Sequence, residues 1–216
     1  MLSRAHLDEP EQVLAWAMDT WGVRLAFTTG LGPGGISLLH MARQHRADIT
    51  CTFLDTGFHF PDTLDYLDDI QDLLDVEILS IHPTPLGPTW REDRLRCCDH
   101  RKVLPLQEAL RGKDAWVNAR RADQGGMRGG IPFVERDSAG FVKINPLARK
   151  TRAWVMAYLA EHGIPTHPLL SMGYGSLGCQ PCTRKLRPGE NERAGRIFAG
   201  GKTECGIHTR LNVERT

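Results

Sequence analysis

Apolar positions along this chain switch between two spacings, and the switching marks out its elements. Val13, Leu14, Trp16, Ala17 and Trp21 form a helical stripe behind Asp8 and Pro10, which read as an N-cap and a first-turn proline. An apolar run over 23–28 predicts a buried strand, and the glycine-rich stretch 29–35 leads from it into a helix over 36–46. A second run, 49–54, stops at Asp55-Thr56-Gly57. Pro61 then opens a helix with Leu64, Leu67, Ile70, Leu73 and Leu74 on one face, and 76–81 predicts a third strand. After a proline-rich loop at 82–90, residues 102–111 predict a helix and 115–119 a fourth strand. Residues 133–135 and 141–144 predict a hairpin turning at 137–140. Residues 151–162 predict a helix that buries Trp154, Val155, Tyr158 and Leu159 and ends at Gly163.

Strands alternating with helices of this length imply an α/β fold, a mostly parallel sheet with helices on both faces. Such sheets bind ligands beyond the carboxyl ends of their strands, and the segments 28–35 and 55–57 both fall there. Residues 164–216 are rich in Gly and Pro and lack periodicity, so something other than a hydrophobic core has to order them. The expected organisation is a single domain over 1–198 followed by a flexible tail over 199–216.

Composition narrows the possibilities. The 216 residues are 41% hydrophobic and 25% charged, as in ordinary globular proteins, and a net charge of +1 gives no argument for a nucleic-acid or membrane partner, so none is expected. Arg and Lys are nevertheless concentrated in 91–102, 111–128 and 184–196, a distribution suited to a small anion. No stretch approaches the roughly 20 apolar residues of a membrane span, and the first ten residues lack the apolar centre of a secretory signal. The expected location is the cytoplasm, where clustered cysteines bind metal or do chemistry more often than they form structural disulfides.

Five of the six cysteines are placed in that way. Cys97-Cys98 and Cys179-Gln-Pro-Cys182 supply four thiol ligands, and adjacent cysteines can share one centre if they sit on a turn or helix. The spacing admits an iron–sulfur cluster, a zinc site or a thiol–disulfide role. Cys51, within an apolar strand, reads as a core residue. Cys205 lies in the glycine-flanked tail, and His208, Lys202 and Arg210 nearby favour its thiolate. The loop with Thr28, Thr29 and Gly30 offers backbone N–H groups and a helix start to an anion, with hydroxyl donors from Thr28, Thr29 and Ser37. Asp55, Thr56 and Gly57 end the neighbouring strand. Arg193 and Arg196 would share a face if helical, and with Arg101, Lys102, Arg120, Arg121 and Arg128 would frame an oxyanion.

Six segments together resemble the assimilatory adenylyl-sulfate (APS) reductases: Leu54-Asp-Thr-Gly57, Cys97-Cys-Asp-His-Arg-Lys-Val-Leu-Pro-Leu106, Trp116-Val-Asn-Ala-Arg-Arg-Ala-Asp-Gln124, Gly178-Cys-Gln-Pro-Cys-Thr-Arg184, Pro188-Gly-Glu-Asn-Glu-Arg-Ala-Gly-Arg196 and Lys202-Thr-Glu-Cys-Gly-Ile-His-Thr209. The resemblance implies an adenine-nucleotide α-hydrolase-like fold with a cluster-ordered C-terminal segment. It implies a [4Fe–4S] cluster on Cys97, Cys98, Cys179 and Cys182, one per subunit, and Cys205 as nucleophile. It also implies that Lys102 lies near cluster and substrate and that Arg128, Arg193, Arg196 and His208 engage the sulfate–phosphate group; the adenosine end is expected along Thr28–Gly35 and Asp55–Gly57. A thioredoxin-type dithiol would be the reductant, and a homo-oligomer is compatible with the pattern. One departure stands out: the glycine-rich loop carries no acidic residue where the family commonly has one. Three rivals are a reductase of the 3′-phosphorylated nucleotide (PAPS), an adenylating sulfur-transfer enzyme that consumes ATP, and a non-enzymatic zinc-binding module.

Overall fold

The computed structural model of the protein describes residues 8–84, 87–125, 128–136, 141–198 and 206–209. Its strands are β1 (Leu25–Thr29), β2 (Thr50–Leu54), β3 (Glu77–Ile81), β4 (Ala115–Val117), β5 (Val134–Arg136) and β6 (Val142–Ile144), joined into one sheet in the order β3-β2-β1-β4-β6-β5. Every neighbouring pair is parallel except β5–β6, the predicted hairpin. The turn expected at 137–140 lies outside the described residues.

Side chains alternate across the strands and build a core on each face of the sheet. Leu25 and Phe27 of β1, Ala115 and Val117 of β4, and Val142 and Ile144 of β6 enter the larger core. That core is closed by α1 (Pro10–Trp21), α2 (Pro33–His45), α3 (Pro61–Leu74) and, later in the chain, the helix Arg152–Glu161. Cys51 is fully buried there, as its strand context predicts. On the opposite face Ala26 and Trp116 pack against Leu106, Leu110 and Phe141. Leu106 belongs to α5 (Leu104–Ala109), which follows α4 (Arg94–Cys98) across a π-helical turn, Asp99–Val103. The predicted two-sided layering is therefore present, with the larger core on the side of α1, α2 and α3.

Proline sets three of the helix starts, since its fixed φ suits the first turn and its missing N–H is not needed there. This corrects two expectations. Glu9 rather than Asp8 is the N-cap of α1, and α2 begins at Pro33, inside the stretch expected to be loop. The helical run before β4 also begins earlier than residue 102. The Asp93 carboxylate accepts the Leu95 and Arg96 N–H groups at 2.9 and 3.0 Å and nucleates α4. The helix α6 (Arg152–Glu161) is capped by the Thr151 hydroxyl, which accepts from Trp154 N–H at 3.1 Å.

Two histidines are held neutral inside the fold. His167 is 1% exposed; its Nε2 meets the Thr63 hydroxyl at 2.9 Å while Nδ1 accepts from Leu169 N–H at 3.2 Å. His59 Nε2 donates to the Leu54 carbonyl at 3.0 Å. Burial lowers the pKa of both rings. The unfolded chain therefore binds protons that the folded one refuses once pH falls below about 6.5, and stability drops in that direction. The urea midpoint is expected to decline from pH 7.5 to 5.5; a midpoint that holds or rises over that interval contradicts this assignment.

Candidate active site

Strand order reverses at β1, which has β2 on one side and β4 on the other, and a cleft opens beyond the carboxyl ends of β1 and β4. It has two communicating lobes. The first, about 220 Å³, lies under the glycine-rich loop and the first turn of α2 and reaches Asn118, Arg120 and Arg121 after β4. The second, about 190 Å³, is bounded by Leu54, His59, Lys102, Gly178 and Phe198. Thr28, Trp116, Arg128, Arg193, Arg196 and His208 line both.

The loop's shape comes from a residue that is not glycine. Leu31 has φ +56° and is fully buried in the main core, and the Thr29 hydroxyl accepts its N–H at 2.9 Å. Gly30 and Gly32 flank it with open space around them, which leaves loop backbone bare toward the first lobe. Thr28 accepts from the Trp116 indole N–H at 2.8 Å. Ser37, expected as a donor to ligand, is instead fully buried and donates to the Gly34 carbonyl at 2.9 Å.

Cys179 follows Gly178, which lines the second lobe. Cys97 and Cys98 close α4, one residue apart and so about 100° apart around the helix axis. This meets the requirement that an adjacent pair sit on a helix or turn. Cys179 and Cys182 bracket a 3₁₀ turn, Gln180–Cys182, that is pinned by backbone bonds. Gln180 N–H donates to the Phe58 carbonyl at 2.7 Å, and Ile197 N–H to the Cys182 carbonyl at 3.0 Å. Burial and the neighbouring Cys179 push up the pKa of the Cys182 thiol; for Cys97 the causes are burial, then Cys179, with Cys182 further down. Burial also acts upward on Cys179, but Lys102, the Thr56 hydroxyl at 3.2 Å and Arg196 outweigh it and bring that thiol below its ordinary value. Cys97 thus senses the charge of Cys179 and Cys182, and Cys182 that of Cys179. An all-thiol set of this kind, on a helix end and a tight turn, fits an iron–sulfur cluster or a zinc ion. Among the described residues no three His, Cys, Asp or Glu side chains stand in metal-holding geometry.

Asp55, Thr56 and Gly57 line neither lobe. Asp55 accepts the Gly57 N–H at 2.8 Å, and Gly57 takes φ +71°. The Thr56 carbonyl accepts from buried Arg101 at 2.9 Å, while its hydroxyl meets Cys179. The triplet holds the cysteine turn, and the strand-end residues that do reach the cleft are Leu54 before it and His59 after it.

Arg193 and Arg196 come together without a helix. A turn carries Arg196 into an isolated bridge with Thr183, and both guanidinium groups lie over the Phe198 ring, 5.6 and 5.7 Å from its centre. Arg196 also donates to the Leu177 carbonyl and packs onto Gly178, where a Cβ would fall 2.1 Å from its Nη2. The expected result for Gly178→Ala is a folded protein with Arg196 displaced. Its kcat/KM should fall on the order of 10²-fold, the usual effect of misplacing a positioning group by about 1 Å. Unchanged kcat/KM would remove Arg196 from the site.

The last described segment, α7 (Gly206–Thr209), crosses the cleft. Ile207 packs on the smaller core, and the His208 ring stacks on Trp116 at 5.6 Å and 15°. His208 Nδ1 is sealed from solvent and has no hydrogen-bond partner among the described residues. Burial, reinforced by Arg120, Arg128, Lys143 and Arg193, lowers its pKa well below the usual histidine range, so the ring is neutral at pH 7. Cys205, the residue before Gly206, lies outside the described residues, as do Lys202 and Arg210.

Local pattern did not single out His59, Asn118, Leu177 or Glu192 as site residues; each reaches the cleft through tertiary placement. Glu192 joins the segment after α6 to the loop after β4. Its oxygens accept from Arg121 Nη2 at 2.9 Å and from Arg152 Nη1 at 2.7 Å. With the bonds to Phe58 and Cys182, this ion-pair set orders much of 164–198, which lacks periodicity of its own.

A glycine-loop cleft at the switch point of a parallel sheet, ringed by arginines, defines a nucleotide-binding α/β protein. Among solved structures the chain is similar to a phosphoadenylyl-sulfate reductase from Candida auris in complex with phosphate. The TM-score is 0.69 at 28% identity, covering 86% of this chain and 98% of that one. It shares its fold with an FMN adenylyltransferase from Candida glabrata, with a TM-score of 0.63 at 14% identity, covering 88% of this chain and 73% of that one. Residues 24–185 match the phosphoadenosine phosphosulfate reductase domain, and the chain belongs to that family. Its relatives include the adenosine 5′-phosphosulfate reductases of Streptomyces coelicolor, 38% identical over 91% of this chain and 87% of that protein, and of Deinococcus radiodurans, 40% identical over 92% and 81%. No helix among the described residues is long and apolar enough to cross a membrane.

Proposed function

We propose that this chain is an oxidoreductase that converts adenosine 5′-phosphosulfate to sulfite and AMP in assimilatory sulfate reduction. One observation carries the reading: Lys102, Arg128, Arg193 and Arg196 converge on a lobe that opens beside Cys179 at one end and onto the glycine loop at the other. Adenosine lies along Thr28–Gly30 and Leu54, and its sulfate faces the lysine and arginines. The Cys205 thiolate attacks the sulfate sulfur, the sulfur–oxygen bond to phosphate breaks, and AMP leaves with the bonding pair. Lys102 and the arginines neutralise charge on the departing phosphate. A thioredoxin-type dithiol then attacks Cys205 Sγ, sulfite departs with the sulfur–sulfur pair, and the second thiol closes the disulfide. The dithiol supplies both electrons.

Cys97, Cys98, Cys179 and Cys182 are the residues that would hold a [4Fe–4S] cluster, one per chain, in a reducing cytoplasm. When bound, that group would cross-link α4 to the segment after α6. His208, neutral and stacked on Trp116, seats α7 over the substrate. The test is a turnover assay on anaerobically purified protein with reduced thioredoxin, reading sulfite and AMP from APS and from PAPS. Sulfite from APS well above that from PAPS supports the reading. ATP-dependent release of pyrophosphate, or zinc without acid-labile sulfide in a protein inactive on both nucleotides, overturns it.

A further inference from the structure

A helix as short as α7, four residues long, has no stability of its own, because its first turn fixes several dihedrals for a single hydrogen bond. It crosses the cleft because other parts of the fold hold it there. Ile207 packs on the smaller core. A second hold is the His208 ring, which lies nearly parallel to the Trp116 indole, with 15° between the planes and 5.6 Å between the ring centres. Among the described residues no hydrogen bond reaches His208 Nδ1, and the two rings meet face to face. Such a contact holds by dispersion and ring geometry, and parting it breaks no hydrogen bond at Nδ1.

Trp116 is fixed far more firmly than the helix it carries. Its backbone pairs with Ala26 of β1 on one side and with Lys143 of β6 on the other. The residue is 2% exposed and shares the smaller core with Leu106, Leu110 and Phe141. Its indole N–H donates to the Thr28 hydroxyl at 2.8 Å, which sets the plane of the ring. Both Trp116 and Thr28 line the two lobes of the cleft. The platform is therefore part of the sheet, whereas the helix resting on it is a short piece that can lift away.

The proposed reaction needs both conditions. Attack on the nucleotide's sulfate takes place inside the cleft, and the dithiol protein must afterwards reach Cys205 Sγ from outside. We propose that Trp116 is a positioning residue: its indole is the seat that keeps α7 in the cleft for the first half-reaction and is vacated for the second. The inference rests on the nucleotide-sulfate reading above and adds to it the side chain that divides the chain's end between the two steps. Weakening the seat then acts unequally. Transfer of the sulfonyl group to Cys205 slows, while release of sulfite by the dithiol does not. General damage to the fold would slow both.

The experiment times the two half-reactions separately on anaerobically purified, full-length protein. The first is the rate at which APS, without reductant, adds the mass of SO₃ to the Cys205 peptide. The second is the rate at which reduced thioredoxin releases sulfite from the preformed adduct. Trp116→Leu keeps an apolar side chain in the core and removes the flat face. It is expected to slow the first step about fivefold or more, the scale of a lost aromatic stack, and to leave the second unchanged or faster. Trp116→Phe keeps a ring and should hold the first rate within about twofold of wild type. An unchanged first step in Trp116→Leu, a parallel loss in both steps, or a Phe variant as slow as the Leu variant overturns the assignment. If Trp116→Leu does not fold, the wild type decides by NMR. The His208 ring protons should lie upfield of their random-coil positions, as protons above an indole face do, and random-coil positions overturn the seat. A wild type that forms no adduct overturns the nucleotide-sulfate reading itself, a result distinct from an adduct whose rate ignores residue 116.

Discussion

Cys205→Ser is expected to abolish sulfite formation, lowering turnover by at least about 10³-fold, while AMP still binds. A thiol reaches its anionic form near neutral pH and a serine hydroxyl does not, so the variant keeps nearly the same side-chain shape and loses the proposed nucleophile. The wild type, mixed with APS and no reductant, should gain the mass of one SO₃ group on the peptide containing Cys205. That adduct should vanish on adding reduced thioredoxin and be absent from the variant. Sulfite release by Cys205→Ser, or an adduct on a different cysteine, ends the assignment. His208, three residues further along the chain, is seated on Trp116 and lines the cationic lobe.

The second large effect is expected at Cys179→Ser. Cys179 stands where the two halves of the site join, meeting the Thr56 hydroxyl at the end of β2, Lys102 after α4, and the turn tied to Phe58 and Ile197. Losing its thiolate removes one of the four proposed ligands and the charge that Lys102 faces. Bound iron and acid-labile sulfide should drop to a small fraction of the wild-type content, the brown colour should fade, and turnover should fall at least about 10²-fold. Cys51→Ser, in the core of the sheet, should leave iron content intact. Full iron content in Cys179→Ser would remove that residue from the ligand set.

Much of this was legible in the chain because period and punctuation agree. β2 stops at Asp55-Thr-Gly and α3 begins at Pro61, as the residues alone predict, and Cys97-Cys98 lie on a helix as a shared centre requires. Where legibility ended, the cause was tertiary. Asp55–Gly57 occupies a strand end, the place for ligand contact, yet Thr56 engages Arg101 and Cys179 and Asp55 accepts from Gly57. Ser37 has the right chemistry on the wrong side of its helix. Glu192 looks like one more surface acid in a charged run, and its partners Arg121 and Arg152 are distant in sequence. The segment over 164–198 has no period because its order comes from ion pairs and backbone bonds, which leave no repeating trace.

Leu31 carries a consequence for how the protein meets its nucleotide. Because the core grips this side chain and forces the backbone above it into the left-handed region, the loop's curvature is settled when the chain folds, before any ligand arrives. Little conformational entropy is then left to lose on association, and selectivity becomes a matter of fixed contour more than of adaptation.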